Sequence, residues 1–338
     1  MQTFDFDLFV IGGGSGGVRA ARMSAQRGAR VGLAEFAAMG GTCVNVGCIP
    51  KKLYSYAAHY GDSFEESHGF GWAGEKPVFN WDTLKANRAR EISRLNGIYV
   101  QLLETAGVKI IKGWARLLDE HTVEVDDKKF TAKHILVSTG GTATVPALPG
   151  REHVLTSDHM FDLNPFPKRL MVVGGGYIAC EFASIFNGLG SEVTQVHRRD
   201  MLLTGFDEDV RRFIAAEMSK TGITLRLGTE VQAITKTDTG LQVEFKGGDA
   251  KLEVDAVLYA TGRVPNANGI GLETVGVAVN AAGAIQVNEH YQTSVPSIYA
   301  LGDVTARMQL TPVALVEAMV VVDQLFGPAA GKKPRNMS

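Results

Sequence analysis

The sequence predicts an α/β protein in which one strand–helix–strand unit occurs twice, the second copy inserted within the first. Three observations predict it. A mostly apolar run, Asp5 to Ile11, ends in Gly12-Gly13-Gly14 and is followed by helix-forming residues. The same order recurs from Leu170 through Gly174-Gly175-Gly176 to Leu189. Glycine supplies 39 of the 338 residues with no collagen period and no Gly/Ser linker, so these glycines serve tight turns and close backbone approaches.

Taken in order, Asp5–Ile11 reads as a buried parallel strand, Val18–Arg27 as a helix and Arg30–Glu35 as a second strand. Trp81 to Ala106 is the clearest amphipathic helix, with Leu84, Ile92, Leu95, Ile98 and Leu102 near helical spacing and Arg88, Arg90 and Arg94 interleaved. Short strands follow at Val108–Ile111, His121–Val125 and His134–Ser138. Pro146, Pro149, Gly150, Pro165 and Pro167 then punctuate the chain. Leu170–Val173, Ile178–Leu189 and Val193–Val196 form the second unit, and Gly, Pro and Asn cluster again near Arg263–Gly271. The expected domains are therefore 1–145, 146–265 and 266–335, the last a second segment of the first domain. The tail from Gly327 to Ser338 is Gly/Pro/Lys-rich and reads as disordered.

Composition excludes several classes. The hydrophobic share of 45% and charged share of 21% are those of an ordinary globular protein. A formal net charge of −2 gives no basic face for nucleic acid. Three cysteines cannot make a disulfide-rich secreted scaffold. The N-terminus lacks a signal-peptide pattern, and no run is long and apolar enough for a membrane span, so the expected location is cytoplasmic.

The glycine clusters carry chemistry. Gly12-x-Gly14-x-x-Gly17 follows a strand and opens a helix. In that context the first glycine allows the turn, the second lets a pyrophosphate approach the backbone, and the third lets helix and strand pack closely. The helix N-terminus offers N–H groups to phosphate. Glu35, ending the next strand, can accept from adenosine ribose hydroxyls. In the second copy, Gly174-x-Gly176-x-x-Ala179, the following strand ends in His197-Arg198-Arg199 instead. Arginines there suit a ribose 2′-phosphate, so this half should prefer NADPH. Two Rossmann-like dinucleotide-binding domains in one chain suggest a flavin and a nicotinamide.

Between them lies Gly40-Gly41-Thr42-Cys43-Val44-Asn45-Val46-Gly47-Cys48-Ile49-Pro50-Lys51-Lys52. A zinc site needs more ligands than these, and no metal is expected. Two isolated core cysteines would not explain the Gly, Thr, Asn and Pro around them. A redox-active dithiol does, and a thiolate at a helix N-terminus beside Lys51 and Lys52 would be stabilised. Cys180, inside the second helix, reads as a packed core residue.

These residues resemble the glutathione reductases of the pyridine nucleotide-disulfide oxidoreductase family, from about residue 5 to about residue 335. The cysteine segment matches the family's disulfide motif, and Ala260-Thr261-Gly262-Arg263-x-Pro265-Asn266 and Tyr299-Ala300-Leu301-Gly302-Asp303 resemble its other signatures. The resemblance implies FAD on Gly12, Gly14, Ser15, Gly17, Glu35, Gly41, Thr42, Thr139, Gly140, Gly302, Asp303 and Thr311. It implies NADPH on Gly174, Gly176, Tyr177, Ile178, Arg198, Arg199, Gly262 and Arg263. Asp303 would hold the ribityl chain, and Leu310–Ala314 would bring backbone amides near the flavin ring. Hydride would pass from NADPH to FAD and then open a Cys43–Cys48 disulfide. By the same resemblance Cys48 is the thiol beside the flavin and Cys43 the thiol that attacks substrate. Lys51 and Glu181 match an ion pair near the flavin, and Tyr177 a gate over the nicotinamide. Where the family often has a second arginine, this chain has Thr204, for which Arg199 is the expected substitute.

Ser15, Arg22 and Tyr99 match positions that touch oxidised glutathione, and Arg19 adds positive charge nearby. The family is homodimeric, through a C-terminal interface domain on the order of 100 residues that would begin where this sequence stops. The partner's His-Glu pair from that domain is likewise outside it, and His290 falls in a predicted strand. Two alternatives therefore stay open: an FAD- and NADPH-binding fragment with diaphorase activity only, and a reductase of another small disulfide.

Overall fold

A computed structural model describes residues 3–75, 77–248 and 250–328. The tail from 329 to 338, expected to be disordered, lies outside the described residues. In chain order the elements are β1 (Phe6–Ile11), α1 (Ser15–Gln26), β2 (Val31–Glu35), α2 (Gly41–Asn45), α3 (Cys48–Ser67), α4 (Trp81–Thr105), β3 (Lys109–Lys112), β4 (Ala115–Leu117), β5 (Thr122–Val125), β6 (Lys128–Val137) and β7 (Gly141–Ala143). Then come β8 (Arg169–Val173), α5 (Tyr177–Gly188), β9 (Glu192–His197), α6 (Glu208–Lys220), β10 (Thr224–Leu227), β11 (Val231–Thr237), β12 (Gly240–Phe245), β13 (Leu252–Val254) and β14 (Ala256–Tyr259). The last are β15 (Arg263–Pro265), α7 (Leu272–Val275), β16 (Ile298–Ala300) and α8 (Thr311–Phe326).

Two compact units result. Among the described residues, the first gathers 3–45, 91–142 and 264–328. Its parallel sheet runs β3-β2-β1-β6-β16. Strand β6 serves two sheets: Lys128–Thr131 pairs antiparallel with β5, while Ala132–Val137 pairs parallel with β1. Only its end, 135–137, is buried on both faces, which is why that end reads as a continuous apolar run while the rest does not. The expected strand His134–Ser138 is thus the visible end of a longer one. Apolar clusters cover both sheet faces, one around Phe9, Val123 and Ile135, the other around Leu8, Leu33, Leu103 and Val321.

Helices α1 and α8 pack side by side in this unit. A Cβ on Gly16 would sit 3.3 Å from the Ala314 carbonyl oxygen, and Arg27 pairs with Asp323 near the other ends. The two helices therefore run parallel, with both N-termini at the edge where the parallel strands end. His290, expected in a strand, lies in a turn: its N–H and that of Gln292 both donate to Asn288 Oδ1. The Asx hydrogen bonds win over the apolar pattern around it.

The second unit gathers 46–90 and 143–263. Its parallel sheet is β10-β9-β8-β14, with a separate antiparallel sheet β11-β12-β13. The segment 46–90, which the sequence reading placed with 1–145, groups here for a definable reason. Tyr54, Ala58 and Trp81 share a core with Phe161, Phe182 and Phe186, and α3 meets α5 closely enough that a Cβ on Gly188 would lie 2.8 Å from Ala58 Cβ. Donors from α3 and α4 also satisfy a turn in 161–163: Tyr54 Oη donates to Phe161 O at 2.8 Å, Arg88 Nη2 to the same oxygen at 2.6 Å, and Trp81 Nε1 to Leu163 O at 2.8 Å. Burial pushes the Tyr54 phenol up, which keeps it a neutral donor.

His134 on β6 is half-buried, with its ring edge-on to Tyr299 and no partner for the buried Nδ1 among the described residues. Burial, aided by Lys133 and His121, pushes its pKa down to about 4. The unfolded chain takes up this proton near the ordinary value of about 6.5, the folded chain only near 4. Stability is therefore complete above pH ~6.5 and falls as the pH drops toward ~4. Denaturant melts across that window are expected to show a loss on the order of 2–3 kcal/mol larger than in His134→Leu. Parallel curves for the two proteins would exclude the effect.

Candidate active site

In the first unit the β1–α1 turn is held by contacts that leave no room for side chains. A Cβ on Gly12, which has φ +105°, would lie 2.5 Å from Ser138 O, and one on Gly17 would lie 2.0 Å from Gly12 O. Ser138 Oγ donates to the carbonyls of Ile11 and Gly12 at 3.1 and 3.0 Å. Gly14 is more open: the nearest atom to its Cβ would be Gly41 Cα at 3.9 Å. Such a cradle, at the N-terminus of a 12-residue helix, fits a pyrophosphate. Ser15 is the first residue of that helix and Arg22 lies two turns on, half-buried. Glu35 ends β2, and its Oε2 accepts from Gly13 N–H at 2.7 Å while Oε1 accepts from Ala37 N–H at 2.8 Å. This fixes the carboxylate beside the glycine turn.

Gly41 (φ +63°) meets the same turn, since its Cβ would fall 2.7 Å from Gly14 Cα. Thr42 and Cys43 follow in α2. Asn45 Nδ2 donates to Gly41 O at 2.9 Å, and Asn96 Nδ2 donates to Asn45 Oδ1 at 2.9 Å and to Met39 O at 2.7 Å. Asn96 and Tyr99 both sit on α4. On the other side of β1, Thr139 Oγ1 donates to Asn266 O at 2.7 Å, and Asn266 N–H to Gly140 O at 2.9 Å. Gly302 (φ +73°) and Asp303 form a short turn after β16. Gly302 N–H donates to Glu317 Oε2 at 2.8 Å. Glu317 is buried, and burial raises its pKa against the opposing effect of that bond. Thr311 opens α8, with Pro312 next to it.

Cys43 and Cys48 are joined in a disulfide. Cys48 is exposed and is the first residue of the 20-residue helix α3, behind Gly47 as N-cap. Lys51 follows on the same face, and its Nζ lies 2.7 Å from Glu181 Oε1 on α5.

In the second unit the β8–α5 turn repeats the first. A Cβ on Gly174 (φ +145°) would lie 2.4 Å from Ala260 O, whereas one on Gly176 would meet nothing within 4 Å. Gln195 Nε2 braces the turn by donating to Gly174 O at 3.0 Å. Tyr177 and Ile178 open α5, Tyr177 at 45% exposure. Arg198 and Arg199 are exposed beyond the end of β9, and Arg199 Nη1 donates to Thr204 Oγ1 at 3.3 Å. Burial pushes His197 down, with Arg199 and Arg198 adding to the effect, so the cationic charge here belongs to the two arginines. Gly262 (φ +151°) is exposed, and its carbonyl accepts from Thr144 N–H at 3.1 Å, next to Arg263. An open glycine turn, a helix N-terminus and two arginines past the second strand fit a phosphorylated dinucleotide. Cys180 is a free, buried thiol as expected, pushed up by burial.

Residues 6–318 match the model of the pyridine nucleotide-disulphide oxidoreductases. The chain belongs to that family. Its curated relatives include a glutathione reductase of Burkholderia cepacia, 50% identical over 330 residues, covering 98% of this chain and 73% of the relative. A glutathione reductase of Nostoc sp. is 46% identical over 337 residues, covering 96% and 73%. Among solved structures, the HOCl-induced flavoprotein disulfide reductase RclA of Escherichia coli superposes with a TM-score of 0.87 at 30% identity, covering 96% of this chain and 72% of that one. Glutathione reductases in this oxidoreductase family use FAD and NADPH.

Several oxidoreductase residues escaped the sequence reading. Ser138, Asn96 and Gln195 act on backbone atoms and belong to no spaced motif. Glu317 could have been found, because it is one of only two acidic residues in the apolar helix Thr311–Phe326. Gly41→Ala should press on Gly14 in a left-handed backbone, costing about 1–3 kcal/mol. The expected outcome is loss of co-purifying flavin absorbance. Gly28→Ala, also at positive φ but with nothing within 4 Å, should keep it.

Proposed function

We propose that the chain is an NADPH-dependent reductase of a small disulfide, oxidised glutathione, working in the cytoplasm. The observation that carries this reading is the Cys43–Cys48 disulfide with Cys48 at the first position of a long helix. The Gly12 unit would take FAD through Gly12, Gly14, Gly17, Glu35, Gly41, Thr42, Thr139, Gly140, Gly302, Asp303 and Thr311. The Gly174 unit would take NADPH, with Arg198 and Arg199 on the 2′-phosphate and Tyr177 over the nicotinamide. Bound FAD and NADPH supply the electron pair that opens the disulfide.

What remains is thiol chemistry on this chain. Two electrons and one proton convert Cys43–Cys48 to one thiol and one thiolate. The positive dipole end at the α3 N-terminus favours the thiolate at Cys48. Lys51, on the same face and held by Glu181, keeps an ammonium one turn away. Cys43, the thiol of the pair, gives up its proton as it attacks one sulfur of the substrate, and that proton goes to the departing sulfur, so a mixed disulfide forms and one glutathione leaves as a thiol. Cys48 then attacks Cys43 Sγ, restoring the internal disulfide and releasing the second. Arg22, with Ser15 and Tyr99, would bind the carboxylates and backbone of the tripeptide.

NADPH oxidation should proceed with glutathione disulfide and with a quinone acceptor. Turnover of the quinone alone would favour the diaphorase reading. Cys48→Ser should abolish disulfide turnover and any long-wavelength thiolate–flavin absorbance while sparing the quinone. Arg22→Ala should raise KM for glutathione disulfide about tenfold or more, the size of one lost charge-assisted hydrogen bond. An unchanged KM there, with turnover of another disulfide, would point to a different small thiol.

A further inference from the structure

Helix α8 buries a carboxyl that the thiol chemistry does not use. Glu317 is 3% exposed, and its buried neighbours on the helix are Ala318, Val321 and Val322. A carboxyl among apolar side chains is costly unless hydrogen bonding compensates it. Here Oε2 accepts from Gly302 N–H at 2.8 Å. Burial raises the Glu317 pKa against the Gly302 bond and Arg307, and Asp303 adds to the rise. A carboxyl oxygen accepts in either charge state, so the bond does not depend on that balance.

The fold brings Glu317 to this one N–H. Helical side chains lean toward the N-terminus, so Glu317 covers the turn before it, where Ala314 lies. A Cβ on Gly302 would stand 3.6 Å from Ala314 Cβ, and Gly302 has φ +73°. The peptides around it are gripped from several sides. Leu301 N–H donates to Val137 O at 3.1 Å, Thr305 Oγ1 to Gly302 O at 2.8 Å, and Ala306 N–H to Asp303 O at 3.0 Å. The first bond ties the turn to the sheet and the next two close it on itself. Glu317 ties it to α8. Asp303 comes directly after Gly302, its Cβ 3.4 Å from where a Cβ on Gly141 would stand.

We infer that Glu317 is a positioning residue for the flavin half of FAD. It acts through Gly302 N–H: the bond fixes the peptide from which Asp303 projects, and so the direction of the Asp303 carboxylate. This rests on the reading that the first unit takes FAD with Asp303 on its ribityl chain. The role needs no contact between Glu317 and the cofactor. ADP has no ribityl chain, so the effect is confined to the flavin end.

The test is calorimetric titration of the FAD-stripped chain with FAD and with ADP. Glu317→Ala should raise Kd for FAD at least about fivefold, the lower end for a donor left without its acceptor, and leave Kd for ADP unchanged. Glu317→Gln, which restores an acceptor oxygen, should bind FAD as the wild type does. Glu317→Met, similar in length but without that oxygen, should match the alanine variant and keeps the test decisive if Glu317→Ala does not fold. Asp303→Ala should cost less FAD affinity in the Glu317→Met chain than in the wild type, because the two residues act in series. Unchanged FAD affinity in the Ala and Met variants, an equal loss for ADP, a Gln variant as weak as Met, or fully additive losses in the double variant would each overturn the positioning role alone. A wild-type chain that binds neither FAD nor ADP, or an Asp303→Ala chain that binds FAD unchanged, would overturn the reading beneath it as well.

Discussion

The nucleotide turn of the first unit depends on main chain lying directly against main chain. Gly17 on the Gly12 carbonyl, and Gly41 on Gly14, are approaches a methyl group would block. They bring the start of α1, the end of β1 and the entry to the cysteine segment into one small volume. No side-chain interaction could substitute, because the contact exists through the absence of side chains. The hydrogen bonds of Ser138, Asn45 and Asn96 then fix what steric fit allows.

Electrostatics follow from that placement. With α1 and α8 parallel, two helix N-termini point to the same sheet edge, and anionic or electron-rich groups are favoured there. Glu35 and Asp303 share that edge, and the proposed flavin reading uses them as acceptors for sugar and polyol hydroxyls. In the second unit Arg198 and Arg199 stand where the first has Glu35, and the proposed choice between two nucleotides rests on that difference after the second strand. At this corner Arg199 Nη1 donates to Thr204 Oγ1.

The sequence made the two glycine turns, the cysteine motif and the two parallel cores legible, because each depends on local pattern. The Lys51–Glu181 contact was legible only through resemblance, since 130 residues separate its partners. The long helix α3 was visible only at its start: its exposed aromatics, Tyr56, Tyr60 and Phe64, blur the apolar stripe that marks an amphipathic helix. The antiparallel sheet β11-β12-β13 has short, half-buried strands with little apolar contrast. The place of 46–90 was hidden for another reason. It is decided by carbonyls in 161–163 that need donors, and a sequence does not display an unsatisfied carbonyl.

The division of β6 between two sheets bears on how the chain reaches its fold. Its second half is flanked by β1, made well before it, and by β16, made long after it near residue 300. The first unit's central sheet therefore cannot close until nearly the whole described chain has emerged, and α8 follows later still. Such long-range pairing is slow. For much of synthesis the apolar edge of β6 has no neighbour on that side, which makes it the segment most in need of protection from association with other chains.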